Sequence, residues 1–335
     1  MPPSRPPRLV VELGSEATRS KLPRVGTFPA PADGGPDPTG YQWRVTAVGE
    51  PRLLAVSDLH VRHAENADIA AGLHPGHPGD WLIVAGDVDE RIESVVATLA
   101  VLRERFAQVL WTPGNHELWT RAKNARADAV EQLAGVARYD ELVRRCRDVG
   151  VLTPEDAWPV WDGPGGPAVI ASLFVPYDYS FLPAGTTTSE EGLAAAYAAG
   201  VVCTDEYLLH PAPYATRAEW SAARVASTAT RLDALDPDLP TVLVNHWPLV
   251  REPCDVLWYP EFALWCGTTA TADWHRRYRA RAVVHGHLHI PRTVTVDGVP
   301  FVEVSLGYPR EWRRHSERVG GHFPDLLPRT VLPAS

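Results

Sequence analysis

RLLAVSDLH, residues 52–60, is an apolar run, Leu53 to Val56, that passes without a break into Ser57, Asp58 and His60. A short uninterrupted apolar run is the pattern of a strand buried on both faces, and such strands belong to parallel sheets covered by helices. The same construction recurs at DWLIVAGDVD (80–89), QVLWTPGNHE (108–117), TVLVNHWP (241–248) and RAVVHGHLH (281–289), where each apolar run gives way at once to Gly, Asp, Asn or His. RIESVVATLAVLRERFA (91–107) places apolar residues at three- and four-residue steps, the spacing of a helix with one buried face. Strand, crossover helix and strand make an α/β sheet, whose ligands bind beyond the carboxyl ends of the strands. All five polar clusters fall at such ends, so a single crevice can collect them.

The last cluster is the densest. In HGHLH, His285, His287 and His289 alternate, and alternation alone is equally the mark of one half-solvated strand face. The rest of the set decides in favour of metal: Asp58 and His60, Asp87, Asn115 and His116, His246, His287 and His289. Carboxylates, imidazoles and an amide in this number suit two divalent transition ions rather than calcium or magnesium. Two neighbouring ions need a bridging ligand, and a carboxylate has the two oxygens for it.

Length and composition set the bounds. The chain has 335 residues, 45% of them hydrophobic, enough to bury a large core. A formal charge of -9 disfavours a general nucleic-acid binder, which grips phosphates with a basic surface. Cys146, Cys203, Cys254 and Cys266 show no CxxC spacing, as expected of ordinary thiols in a reducing compartment. No apolar run reaches the length of a bilayer span. The expectation is a soluble cytoplasmic protein with neither a membrane nor a nucleic-acid partner. Residues 1–40, rich in Pro and Gly, read as a flexible arm before a single domain over 41–335. Residues 118–240 break the rhythm with helical EEGLAAAYAAG (190–200) and RAEWSAARVASTATRLDAL (217–235) and one strand, AVIASLFVP (168–176). They read as helices on the sheets plus an insertion that shapes the cleft.

In order, Asp58-Leu-His60, Gly86-Asp87, Gly114-Asn115-His116-Glu117, His246 and Gly286-His287-Leu-His289 resemble the calcineurin-like metallophosphoesterases over about residues 52–290. The resemblance implies a four-layer αββα sandwich. It implies that Asp58, His60 and His289 hold one metal ion, that Asp87 bridges, and that Asn115, His246 and His287 hold the other. It implies hydrolysis of a phosphoester by a water that the two ions activate, the ions being manganese or iron, with zinc as the alternative. His116 is then free beside the phosphate as the acid. Glu90 stands where some relatives keep an acid that orients this histidine, with Asp89 the local alternative; either equally suits a helix N-terminus. His285 becomes a core or supporting residue.

The substrate is a separate question. GDVDERIES lacks the Gly-Asp-x-Val-Asp-Arg-Gly of Ser/Thr phosphoprotein phosphatases, and a nuclease calls for a more basic cleft. NHWPLVREPCDVLWYPEFALWCGTTATADWHRRYRARAVVHGHLHIPR (245–292) and EVSLGYPREWRR (303–314) are similar to the actinobacterial phosphopantetheinyl hydrolases. That similarity implies removal of 4'-phosphopantetheine from a holo-acyl carrier protein, a serine phosphodiester on a small acidic domain. Such a partner needs local positive charge. WHRRYRAR (274–281) and REWRRH (310–315) offer Arg276, Arg277, Arg279, Arg281, Arg310, Arg313 and Arg314, interleaved with Trp274, Tyr278 and Trp312. Trp247, Trp258, Tyr259 and Trp265, close in sequence to His246, are candidates for the cleft wall. The rival readings are a small-molecule phosphoesterase, acting on a cyclic nucleotide or phosphomonoester, and a scaffold that keeps the fold without turnover.

Overall fold

Leu53–Val56 forms strand β1, and its alternation sorts its side chains. Leu53 and Ala55 enter one apolar cluster, while Leu54 and Val56 enter another on the opposite face. The computed structural model describes residues 49–120 and 129–334; the expected arm over 1–40 and the domain start at 41 lie outside the described residues. Beside β1, in parallel, lie β2 (Trp81–Val84) and β3 (Gln108–Trp111). A second sheet has β4 (Val160–Trp161), β5 (Ala168–Ser172), β6 (Thr241–Val244), β7 (Ala280–His285), β8 (Thr293–Val296) and β9 (Val299–Glu303), in spatial order β4-β5-β6-β7-β9-β8. Its inner four strands are parallel, and β4 and β8 pair antiparallel at the two edges. β10 (Arg329–Leu332) returns antiparallel to the free edge of β1 in the first sheet.

Helices α1 (Ala64–Gly72) and α2 (Ile92–Arg105) are the crossovers of the first sheet, and the short α3 (Asn115–Leu118) precedes α4 (Gly135–Asp148). Val95, Leu99 and Leu102 of α2 and Leu142 of α4 pack with Leu54, Val56, Val84 and Trp111. Between the sheets, Ala55, Ile83 and Leu110 meet Ile170, Val242 and Val284. The region 118–240 supplies β4 and β5 to the second sheet and carries α5 (Ser189–Ala198), α6 (Asp205–Leu208) and α7 (Arg217–Asp233). Thr188 and Thr216 cap α5 and α7 by accepting the amides of Glu191 and Glu219. Leu232 of α7 and Trp274 of α8 (Trp274–Arg277) cover Ala171, Leu243 and Val283 on the outer face of the second sheet. The order of layers is therefore helix, sheet, sheet, helix, with α9 (Pro309–Val319) following β9. Strands buried on both faces have no polar side to show, which is why their sequences read as continuous apolar runs.

Candidate metal centre

The two sheets touch at a bridge between Ser57 and Ser305, just past β1 and β9, where the Ser57 amide donates to the Val304 carbonyl at 3.1 Å. From this junction the strand ends deliver Asp58 and His60, Asp87, Asn115 and His116, His246, and His287 and His289, all buried. Five of the eight described non-glycine residues with positive φ are among them: Asp58 (54°), His60 (43°), Asp87 (55°), His287 (73°) and His289 (54°). Such conformations cost about 1–3 kcal/mol each and persist only where the surroundings over-determine them. Here the amides of Asp58 and His60 donate to the carbonyls of Gly86 and Asp87, at 2.9 and 3.1 Å. Gly307 donates to the Asp58 carbonyl at 3.1 Å. The loops approach so closely that a Cβ at Gly286 would overlap Ser57 Oγ and Asp58 Oδ2, and one at Gly114 would overlap Asp87 Oδ1.

One group of donors comprises Asp58, His60, Asp87 and His289, whose ligand atoms all lie within 4.8 Å of one another. Asp58 Oδ1 is 2.9 Å from His289 Nε2, and His289 Nε2 is 3.2 Å from His60 Nε2. Asp58 Oδ2 accepts the hydroxyls of Ser57 and Ser305, which leaves Oδ1 turned inward. A second group joins Asn115, His246 and His287: Asn115 Oδ1 is 3.2 Å from His246 Nε2 and 3.1 Å from His287 Nδ1. Asp87 stands between the groups, its Oδ2 3.4 Å from His246 Nε2, while its Oδ1 accepts the His116 amide at 2.9 Å.

Supporting contacts fix which atom of each donor faces inward. His246 donates from Nδ1 to the Ala85 carbonyl at 2.8 Å, so its Nε2 lone pair points into the site. His289 Nδ1 meets Glu311 Oε2 at 2.7 Å, with the same effect on its Nε2. Asn115 Nδ2 donates to Asp205 at 3.0 Å, which aims its oxygen at the histidines. Asp205 also accepts Trp119 Nε1 at 2.6 Å. His116 packs on Trp119, ring centroids 3.7 Å apart, and its Nε2 is 3.3 Å from the Tyr308 hydroxyl.

The electrostatics suit cations. Burial opposes ionisation of Asp58, but His289 overrides it and holds the carboxyl well below the usual carboxylate range. Burial likewise works against Asp87, and His246 and His116 keep it ionised. Burial lowers His60, and lowers His287 to about 3, so both stay neutral donors. Without a cation, His246 and His289 must hold protons against their own burial: Asp87 lifts His246 to about 9, and Glu311 and Asp58 lift His289 well above the imidazole range. His287 Nε2 is buried with no hydrogen-bond partner. Divalent ions in place of those two protons fit the buried carboxylates and the inward imidazole nitrogens.

The other sequence candidates take different places. Glu90 directs its carboxylate to Arg62 at 2.8 Å, and its carbonyl accepts from Arg138. Asp89 caps locally, accepting the Glu90 amide. His285 is the buried last residue of β7. Trp247 and Trp265 are fully buried, whereas Trp258 is 88% exposed. Arg276 and Arg277 pair with Asp297 and Asp233 on the outer side of the second sheet, and Arg279 and Arg281 bond main-chain carbonyls, so every guanidinium of that basic stretch is already engaged. Glu311, Asp205 and Tyr308 do not emerge from sequence spacing; each arrives from a distant helix or loop. Glu117 lies inside the Gly-Asn-His-Glu block, yet its task, accepting the amides of Asp87, Val88 and Gly114, is visible only in three dimensions. The four cysteines are buried and free, and no helix among the described residues is long and apolar enough to cross a membrane.

Residues 51–291 match the family model for calcineurin-like phosphoesterase. PptH of Mycobacterium tuberculosis, an [acyl-carrier-protein] phosphodiesterase, is 57% identical over 288 residues, 86% of this chain and 85% of that protein. The crystal structure of phosphopantetheinyl hydrolase (PptH) from Mycobacterium tuberculosis superposes with a TM-score of 0.79 at 55% identity, covering 85% of this chain and 97% of that one. The layered sheets, the strand-end donors and this match agree: the chain belongs to the calcineurin-like phosphoesterases, hydrolases built round a dinuclear divalent metal site.

Proposed function

We propose that this chain removes 4'-phosphopantetheine from a holo-acyl carrier protein by hydrolysing the phosphodiester at the carrier's serine. The chemistry rests above all on one observation, the convergence of buried carboxylate, imidazole and amide donors at the strand ends. The substrate class rests on the identity with PptH over most of both chains. In this reading Asp58, His60 and His289 would hold one ion, Asn115, His246 and His287 the other, and Asp87 would serve both. Manganese or iron(II) suits this mixed oxygen and nitrogen set. When bound, two such ions supply an activated water and offset the charge that gathers on the phosphoryl oxygens.

The chain's own residues do the rest. Asp205 keeps the Asn115 oxygen pointing inward, and Glu311 and the Ala85 carbonyl set the tautomers of His289 and His246. His116, seated on Trp119 and anchored through its amide to Asp87, is the acid that gives its Nε2 proton to the departing alkoxide. A placed general acid contributes about 10²–10⁴-fold. Trp119, Phe262 and Tyr308 wall the pocket in front of it and limit water. Glu90 is placed at a remove: its carboxylate meets Arg62, and its main-chain carbonyl is joined through the Arg138 guanidinium to that of Glu117. The four free thiols suit a reducing cytoplasm.

Intact-mass spectrometry of a holo-carrier protein incubated with the manganese-loaded chain tests the reading. Loss of the phosphopantetheine mass with wild type and not with His116→Ala is the expected result. An unchanged carrier protein, with an aryl phosphodiester still cleaved, would overturn the substrate and leave the hydrolase.

A further inference from the structure

The arginine side chains of the described residues are nearly all engaged. Among the described residues every guanidinium has a hydrogen bond or an ion pair except those of Arg292, Arg310, Arg314 and Arg318. These four are not scattered. Arg310, Arg314 and Arg318 recur at four-residue steps along α9 and form one exposed stripe. Like charges at that spacing destabilise a helix. Glu317, on the same helix, pairs with none of them.

Arg292, Arg314 and Arg318 line a groove of about 490 Å³. Leu257, Trp258, Tyr259 and Ile290 give it an apolar lining, with Trp258 88% exposed, and its one acid, Glu311, is turned to His289. The groove is continuous with the metal centre, because Phe262 and His289 line both it and the pocket of Asp87 and His116. A partner lying in this groove therefore presents its neighbouring atoms to the reacting centre.

We propose that this groove is the docking surface for the carrier protein. An acidic face of the carrier lies along Arg310, Arg314 and Arg318 and reaches Arg292, and its apolar residues cover Trp258. The proposal rests on the reading that a holo-carrier protein is the substrate. The stripe spans two helical turns, about 12 Å, which is longer than one phosphate and matches an extended polyanion. The substrate phosphodiester, with a single charge, leaves most of it unanswered.

The test is kinetics of the metal-loaded full chain and of Arg314→Glu/Arg318→Glu on holo-carrier protein and on bis(4-nitrophenyl) phosphate, with unmodified apo-carrier protein as a competitor. Reversal of two steering charges is expected to raise KM for the holo-carrier about tenfold, hold kcat within about twofold and flatten the salt dependence of kcat/KM. It is expected to weaken apo-carrier competition to the same extent, while aryl diester turnover stays within about twofold. An unchanged carrier KM and unchanged competition would overturn the docking surface and leave the substrate assignment standing. Apo-carrier competition that is sensitive to the reversal, with no cleavage of the holo form, would keep the surface and overturn the assignment. Dissociation of a dimer by the same variant, with carrier KM unchanged, would hand the groove to a second copy of the chain and overturn the proposal.

Discussion

Glu311 Oε2 lies 2.7 Å from His289 Nδ1 and also accepts the Tyr308 amide at 3.0 Å, so one carboxylate both begins α9 and orients a histidine of the candidate metal centre. Glu311→Gln keeps an oxygen for the amide but removes the charge that strengthens His289 as a donor. Divalent metal affinity is expected to fall about 10–100-fold, and metal-free protein is expected to lose stability as well, because protonated His289 loses its neighbouring charge. Competition against a chelator of known affinity measures it; an unchanged affinity would assign Glu311 to helix capping alone.

Asp205→Ala strips the partner from two buried donors, Asn115 Nδ2 and Trp119 Nε1. Each orphaned donor is expected to cost about 1–3 kcal/mol, and the Asn115 amide, no longer held, is free to turn its nitrogen inward. Urea unfolding should show the loss. Asp205→Asn retains an acceptor oxygen and is expected to recover most of the stability.

Glu117 is fully buried, and its carboxylate accepts three amides from the Asp87 and Gly114 loops. Burial and the Asp87 charge push its carboxyl up to about 8, against the pull of those donors. Glu117→Gln places an NH₂ group against at least one of them, at an expected loss of about 1–3 kcal/mol. Thermal unfolding compared with Glu117→Asp checks it; a Gln variant as stable as wild type would mean the loops hold themselves.

Chelation should abolish phosphodiester hydrolysis and lower the melting temperature together. Ions bound only by the folded chain stabilise it by about 2.7 kcal/mol at a hundredfold excess over Kd. Calorimetry with and without added manganese is the check. Full turnover by metal-free protein would remove the metal chemistry.

The candidate donors are legible in sequence because each follows its strand at once, so the linear order of apolar run and polar tip already encodes the crevice. What orients them is not. Asp205 reads as an acid in the first turn of a helix and Glu311 as a capping residue, and both are. Their second task depends on chain 90 and 22 positions away, respectively. The two basic stretches look alike in sequence, yet all four arginines of the first are engaged by distant groups, whereas in the second Arg313 alone is, by Glu65. The edge strands escape for another reason. β10 has four residues between prolines, too few for a period, and β8 and β9 alternate about an Asp297-Gly298 turn, a hairpin signal that stands outside any search for ligands at parallel strand ends.

The left-handed backbone at Asp58, His60, Asp87, His287 and His289 has an evolutionary side. At each of these positions glycine would relax the main chain while deleting a donor, so folding and catalysis pull on the same codons in opposite directions. Asp87→Gly in metal-free protein should therefore lose less stability than truncation of a buried carboxylate ordinarily brings. At these five positions the crevice sets backbone ease against the placement of a candidate donor.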